Sequence, residues 1–83
     1  MSKLIRFTSP TCEMCRSVES QMDKAGIDCE TIDVSTDEGM ERANYYGVQH
    51  LPVVIEFDEY GSITNRYDNY GAIINLIKSH VVS

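Results

Sequence analysis

The sequence predicts an α/β fold in the order β-α-β-α-β-β-α, with a four-stranded mixed sheet and helices on both faces. Three observations predict it. In the first half of the 83-residue chain, short β-rich runs alternate with stretches of helical period. Gly26 and Gly47 stand where those helical stretches should stop. Two runs between Pro52 and Tyr67 flank a Glu59-Tyr60-Gly61 turn and read as an antiparallel hairpin. The length fits one domain over 1–83, and there is no repeat or linker.

Each element has its own signal. Lys3 to Phe7 is a short strand, and Thr8-Ser9-Pro10-Thr11 is a connection. Met14, Val18, Met22 and Ala25 then recur at helical spacing, and Gly26 reads as the stop. Ile27 to Val34 alternates and is β-branched enough for a strand near a sheet edge. This β-α-β unit should be right-handed and parallel. Ser35-Thr36-Asp37-Glu38 matches a capping box, with Ser35 as the cap and Glu38 reaching back. A short helix with Met40, Ala43 and Tyr46 follows, ending at Gly47. Pro52 to Asp58 is a strongly apolar strand, and Ser62 to Tyr67 is its hairpin partner. Asp68 or Asn69 can cap a last helix whose apolar face is Ile73, Leu76, Ile77 and Val81.

Composition narrows the partners. A net charge of −6 argues against nucleic acid or an anionic membrane, since both demand a basic patch. No apolar run is long enough to span a bilayer, and Met1-Ser2-Lys3 leads into a strand rather than a signal peptide. A cytoplasmic location is therefore expected. Three cysteines, an odd count, agree with a reducing compartment.

The chemistry concentrates at Cys12-Glu13-Met14-Cys15, after the first strand and at the start of the first helix. A thiol there faces unpaired backbone N–H groups and the positive end of the helix dipole. Both favour thiolate, lowering the pKa of Cys12 from the roughly 8.5 of a free cysteine. Cys15, one turn on, lies on the same face and close enough to form a disulfide with it. Cys12 is the candidate nucleophile and Cys15 the resolving thiol. Glu13 should oppose thiolate formation and Arg16 should favour it, so Glu13, Met14 and Arg16 are candidate redox-tuning residues. A competing reading is a zinc or iron–sulfur half-site. Zinc needs four ligands, and only Cys29, His50 and His80 remain, without ligand spacing. No metal and no cofactor is expected, although a cluster bridged between two chains stays open. Cys29 reads as a structural thiol, and His50 as a loop histidine ahead of Pro52 that could approach the site.

The chain resembles the thioredoxin/glutaredoxin superfamily over nearly its full length, in a small form of archaeal or bacteriophage type. Three local matches carry this: Phe7-Thr8-Ser9-Pro10-Thr11-Cys12-Glu13-Met14-Cys15, His50-Leu51-Pro52-Val53-Val54, and the Phe57–Tyr67 hairpin before Gly71. The resemblance implies the thioredoxin fold and thiol–disulfide exchange through Cys12 and Cys15. It implies a cis Pro52 facing the cysteines, with the backbone of Leu51 offered to an extended peptide like an added strand. Thr11, Leu51, Pro52 and Asp68 are the substrate-binding residues it suggests. The expected partners are a disulfide-containing target, such as ribonucleotide reductase, and either a thioredoxin-reductase-type enzyme or glutathione as electron source. A monomer is expected. There are departures. Ser9 stands where glutaredoxins carry a lysine, and Arg66-Tyr67-Asp68-Asn69-Tyr70 replaces their glycine pair. Thr11, Glu13-Met14 and Arg6 stand where thioredoxins carry Trp, Gly-Pro and a buried Asp. A glutathione-dependent glutaredoxin and a metal-cluster or protein-binding module are the alternatives to a protein-disulfide oxidoreductase.

Overall fold

The computed structural model describes residues 3–82, and their side chains as far as His80. Met1 and Ser2, expected to lead into the first strand, lie outside the described residues. So does the Val81 side chain, expected on the apolar face of the last helix. The elements are β1 (Lys3–Thr8), α1 (Glu13–Lys24), β2 (Glu30–Asp33), α2 (Asp37–Tyr45), β3 (Val53–Phe57), β4 (Ile63–Tyr67) and α3 (Tyr70–Val82). They follow the predicted order.

The sheet order is β2-β1-β3-β4. β1 is parallel to β2 and antiparallel to β3, and β4 returns antiparallel to β3. Alternation along the strands divides the core into two layers. Leu4 and Val54 face α1 and α3, where Val18, Met22, Ile73, Leu76 and Ile77 close over them. Ile5, Phe7, Val53, Ile55 and Phe57 face the other way, where Ala43 of α2 covers them with Tyr46 and Leu51 alongside. β3 is central and covered on both faces, which is why Val53-Val54-Ile55 reads as a continuous apolar run. Burial of each such side chain contributes about 2 kcal/mol.

Both early helices end in the same way. At α1, Gly26 donates to the Asp23 carbonyl at 3.1 Å and Ile27 to the Met22 carbonyl at 3.0 Å. At α2, Gly47 donates to Asn44 at 3.1 Å and Val48 to Ala43 at 2.8 Å. These are Schellman closures, and they need the left-handed backbone that Gly26 (φ 71°) and Gly47 (φ 69°) supply.

Two expectations shift, and a third is resolved between its two candidates. β2 begins at Glu30 rather than Ile27, because the Ile27 N–H is taken by α1 and its side chain is buried against that helix. The α2 cap is Thr36, not Ser35. The Asp33 carboxylate accepts both the N–H (2.8 Å) and the hydroxyl (2.7 Å) of Ser35, which uses Ser35 in a turn. Thr36 Oγ1 then accepts the Gly39 N–H at 3.0 Å, so Glu38 is not the capping-box partner position. For α3, Asn69 is the cap of the two candidates, its side-chain oxygen accepting the Ala72 N–H at 2.8 Å.

Candidate active site

Cys12 stands one residue ahead of α1 in extended backbone (φ −95°, ψ 105°). Its Sγ accepts the Cys15 N–H at 3.2 Å. Its own N–H donates to the Ser9 carbonyl at 3.1 Å, and its carbonyl accepts the Arg16 N–H at 3.3 Å. Cys12 is therefore the N-cap of α1, with sulfur where an oxygen usually stands. Cys12 and Cys15 form a disulfide, their Cα atoms 5.3 Å apart. The two sulfurs differ in access. Cys12 is half-buried, whereas Cys15 is 1% exposed and its Sγ lies 4.0 Å from the Phe7 carbonyl oxygen.

The loop into Cys12 is internally braced. The Ser9 and Thr11 hydroxyls share a hydrogen bond at 3.1 Å, and Arg16 Nη2 donates to the Pro10 carbonyl at 2.9 Å. Thr11, Glu13, Met14 and Arg16 surround the cysteine pair and are exposed, Met14 to 56%. Arg16 is thus tied to the loop as well as being a cation on the first turn.

Leu51-Pro52 is a cis peptide. The register Phe7↔Val53 brings the end of β1 and the start of β3 to one edge of the sheet. The loops carrying Cys12 and Leu51-Pro52 leave from that same end. Tyr67↔Val54 brings Asp68 there too, one strand further over. The sequence-predicted residues therefore share one end, with Thr11 to Arg16 grouped tightly and Asp68 at the far side. The Asp68 carboxylate is engaged by Arg66 Nε at 3.4 Å.

Other polar side chains are engaged in hydrogen bonds and packing. Tyr70 bonds Ser17 at 3.0 Å and accepts from Gln21 Nε2 at 2.9 Å, joining α3 to α1. Those two bonds, Ser17 first, lower its phenol pKa. Tyr67 lies against the α1/α3 layer. Cys29 is half-buried against the same layer, and burial pushes its thiol above the usual value. Arg6 is turned toward Thr31 Oγ1 (2.8 Å) and Asp23 (4.0 Å). Among the described residues, no three His, Cys, Asp or Glu side chains gather to hold a metal ion.

Two features were missed from sequence. An open cleft of about 570 Å³ lies beside Leu51, lined by Val34, Met40, Ala43, Val48 and His50 among others. Val34, on its wall, donates its N–H to the Thr8 carbonyl at the end of β1 at 2.9 Å. The second is a link between loops: His50 Nε2 bonds the Asp68 carbonyl, and Arg66 reaches the carbonyls at the end of α2. The apolar spacing of α2 could have hinted at the cleft; nothing local hinted at the link.

Residues 4–59 match the glutaredoxin family profile, two thirds of the chain. The chain belongs to the glutaredoxin family. Its relatives carry thioredoxin names as well. It is 33% identical over 64 residues to the thioredoxin-like protein YosR of the SPbeta prophage of Bacillus subtilis, covering 77% of this chain and 78% of that one. It is 34% identical over 58 residues to a probable thioredoxin of Archaeoglobus fulgidus, covering 65% and 64%. Among solved structures it is similar to thioredoxin-2 of a malaria parasite (TM-score 0.74, 24% identity, 96% of this chain and 84% of that chain). It is also similar to a Thermus thermophilus thioredoxin (TM-score 0.72, 19% identity, 95% and 70%). These two show the thioredoxin fold. The chain is a thioredoxin/glutaredoxin-like redox protein with a Cys12–Cys15 pair. Among the described residues no helix is long and apolar enough to cross a membrane.

Proposed function

We propose that this protein reduces disulfides in other proteins, using Cys12 and Cys15 as a dithiol, in the cytoplasm. The observation that carries the reading is the position of Cys12. The residue is half-buried rather than buried, caps the first turn of α1 and receives a backbone N–H on its sulfur. Cys15 lies behind it, within disulfide distance and shut off from solvent.

In the reduced state the Cys12 thiolate is stabilised by the N–H groups of the first turn and by the helix dipole. It attacks one sulfur of the target disulfide. A Cys12–target bond forms, the target S–S bond breaks, and the departing target sulfur leaves as thiolate and takes a proton. Cys15 then loses its proton and attacks Cys12 Sγ. The mixed disulfide breaks, the second target thiol is released, and the Cys12–Cys15 disulfide remains. Two electrons have passed to the target. A thioredoxin-reductase-type enzyme or glutathione returns them.

Thr11, Leu51, Pro52 and Asp68 border the approach to Cys12 in this reading. The backbone of Leu51 pairs with the extended segment of the target, and the apolar cleft beside it suits a side chain flanking the target cysteine. Glu13, Met14 and Arg16 set the potential. A target such as ribonucleotide reductase fits an acidic monomeric donor. The glutaredoxin profile match favours a second reading, reduction of glutathione mixed disulfides. Two contacts count against it: Ser9 is bonded to Thr11, and the Asp68 carboxylate to Arg66.

The test is turnover of insulin disulfides by the purified protein, recycled either by NADPH with thioredoxin reductase or by glutathione with glutathione reductase. Turnover in the first arm alone is expected. Cys12→Ser should abolish it. Cys15→Ser should stop after the first step and accumulate a mixed disulfide visible by mass. Full turnover by Cys12→Ser would sink the mechanism and favour a binding module.

A further inference from the structure

We propose that Arg66 is a positioning residue for the loop that presents Leu51 and Pro52, acting with His50 to fasten that loop to the corner between β4 and α3. The inference rests on the protein-disulfide reading, since it assigns the loop a substrate.

The end of α2 creates the opening. Its Schellman closure uses the carbonyls of Ala43 and Asn44, and the Tyr46 N–H uses that of Arg42. The carbonyls of Tyr46, the C-cap, and of Gly47 beyond it lie past that closure. Arg66 sits on the edge strand β4, paired with Ile55, on the α2 face of the sheet. Its Nη1 donates to the Tyr46 carbonyl at 2.5 Å and its Nη2 to the Gly47 carbonyl at 3.5 Å. Its Nε donates to Asp68 Oδ1 at 3.4 Å. One guanidinium therefore joins the end of α2 to the residue that follows β4. A cation at a helix C-terminus is also favoured by the dipole.

The loop is fastened a second time. His50 Nε2 bonds the Asp68 carbonyl. Both ends of the segment 46–50 are thus held by residues 66–68. Leu51 follows at once, so where its backbone stands relative to Cys12 depends on this corner. A fork of donors is needed for three acceptors in different directions. Arg provides it and Lys, a point charge, provides part of it.

The test uses the full-length protein with Arg66→Gln and Arg66→Lys. In insulin turnover, Arg66→Gln should raise KM about threefold to tenfold with kcat within about twofold, the scale of one or two lost hydrogen bonds. Arg66→Lys should recover part of that rise. Alkylation of reduced Cys12 by iodoacetamide needs no loop, and its rate should hold in both variants. Amide exchange at Val48, whose N–H is held by the Ala43 carbonyl at 2.8 Å, should quicken at least about threefold in Arg66→Gln. An unchanged KM with unchanged Val48 exchange overturns the proposal. So does a parallel fall in kcat and alkylation rate, which marks general damage. If the wild type turns over in neither recycling arm, the disulfide reading fails by itself. Val48 exchange then still decides whether Arg66 fastens the loop: faster exchange supports it, and unchanged exchange overturns it.

Discussion

Helices α1 and α2 begin alike and serve differently. Each follows a parallel strand, and each starts on a side chain that accepts the N–H three residues on. In α1 that acceptor is Cys12 Sγ at 3.2 Å from the Cys15 nitrogen; in α2 it is Thr36 Oγ1 at 3.0 Å from the Gly39 nitrogen. A neutral thiol is a poor acceptor and a thiolate a strong one, so the α1 cap improves as Cys12 ionises. The threonine hydroxyl does not change. It is further fixed by donating to the Asp33 carbonyl at 2.9 Å. In the dithiol reading, the same backbone opportunity supports reactivity at one helix start and anchorage at the other. What separates them is the capping atom and how tightly the neighbouring strand closes over it.

That contrast can be broken at its strongest point by Cys12→Ser. Serine is among the best N-caps, so α1 should keep its stability while all turnover disappears. Chemical denaturation of the reduced protein, beside the insulin assay, checks both halves. A large loss of stability would show that the sulfur anchors the helix as Thr36 does.

Gly39→Ala tests the closed end. A methyl group there would collide with the Asp33 carbonyl, which is backbone and cannot swing aside. The expected loss is about 3 kcal/mol, read from the denaturation midpoint, with Cys12 alkylation little changed in the protein that still folds. Thr36→Ala should be milder, about 1 kcal/mol, again with turnover intact at temperatures well below melting. Loss of turnover at full folding would mean that α2 serves the site more directly than its cap suggests.

The smallest effect lies where α2 is tied to the sheet. Glu30 bridges Lys3 at 2.9 Å and Arg42 at 2.7 Å. Lys3 first and Arg42 second hold its carboxyl below the usual 4.5. A lowered carboxyl pKa stabilises the fold above the usual value, and that contribution is lost as pH falls through the lowered one. Glu30→Gln should therefore cost about 0.5 kcal/mol at neutral pH, as exposed pairs do. The difference from wild type should shrink to nothing in acid. A difference that persists there would point to packing rather than charge.

Much of this was legible beforehand where the signal is local. The period of α1, the two glycine stops, the apolar run of β3 and the hairpin turn each specify their element within a few residues. The cysteine pair announces its own geometry, because three residues along a helix is one face. What failed depended on a competitor elsewhere. Ser35 is the slightly better cap in isolation, and Asp33 overrides that preference by taking the Ser35 hydroxyl. Ile27 is a good strand residue, but α1 claims its N–H first. The contact of Arg66 with Tyr46 spans 20 positions and depends on where a helix end and a strand edge meet. No run of neighbouring residues encodes that.

The burial of Cys15 has one more consequence. Of the pair, Cys15 is shut off from solvent and Cys12 is half-buried. Under the proposed dithiol mechanism, target and electron donor would therefore share one doorway and could not be seated together. The protein would be a shuttle between two hosts, each visit ending before the next begins. Its throughput would then be governed by how quickly it lets go as much as by how well it holds on.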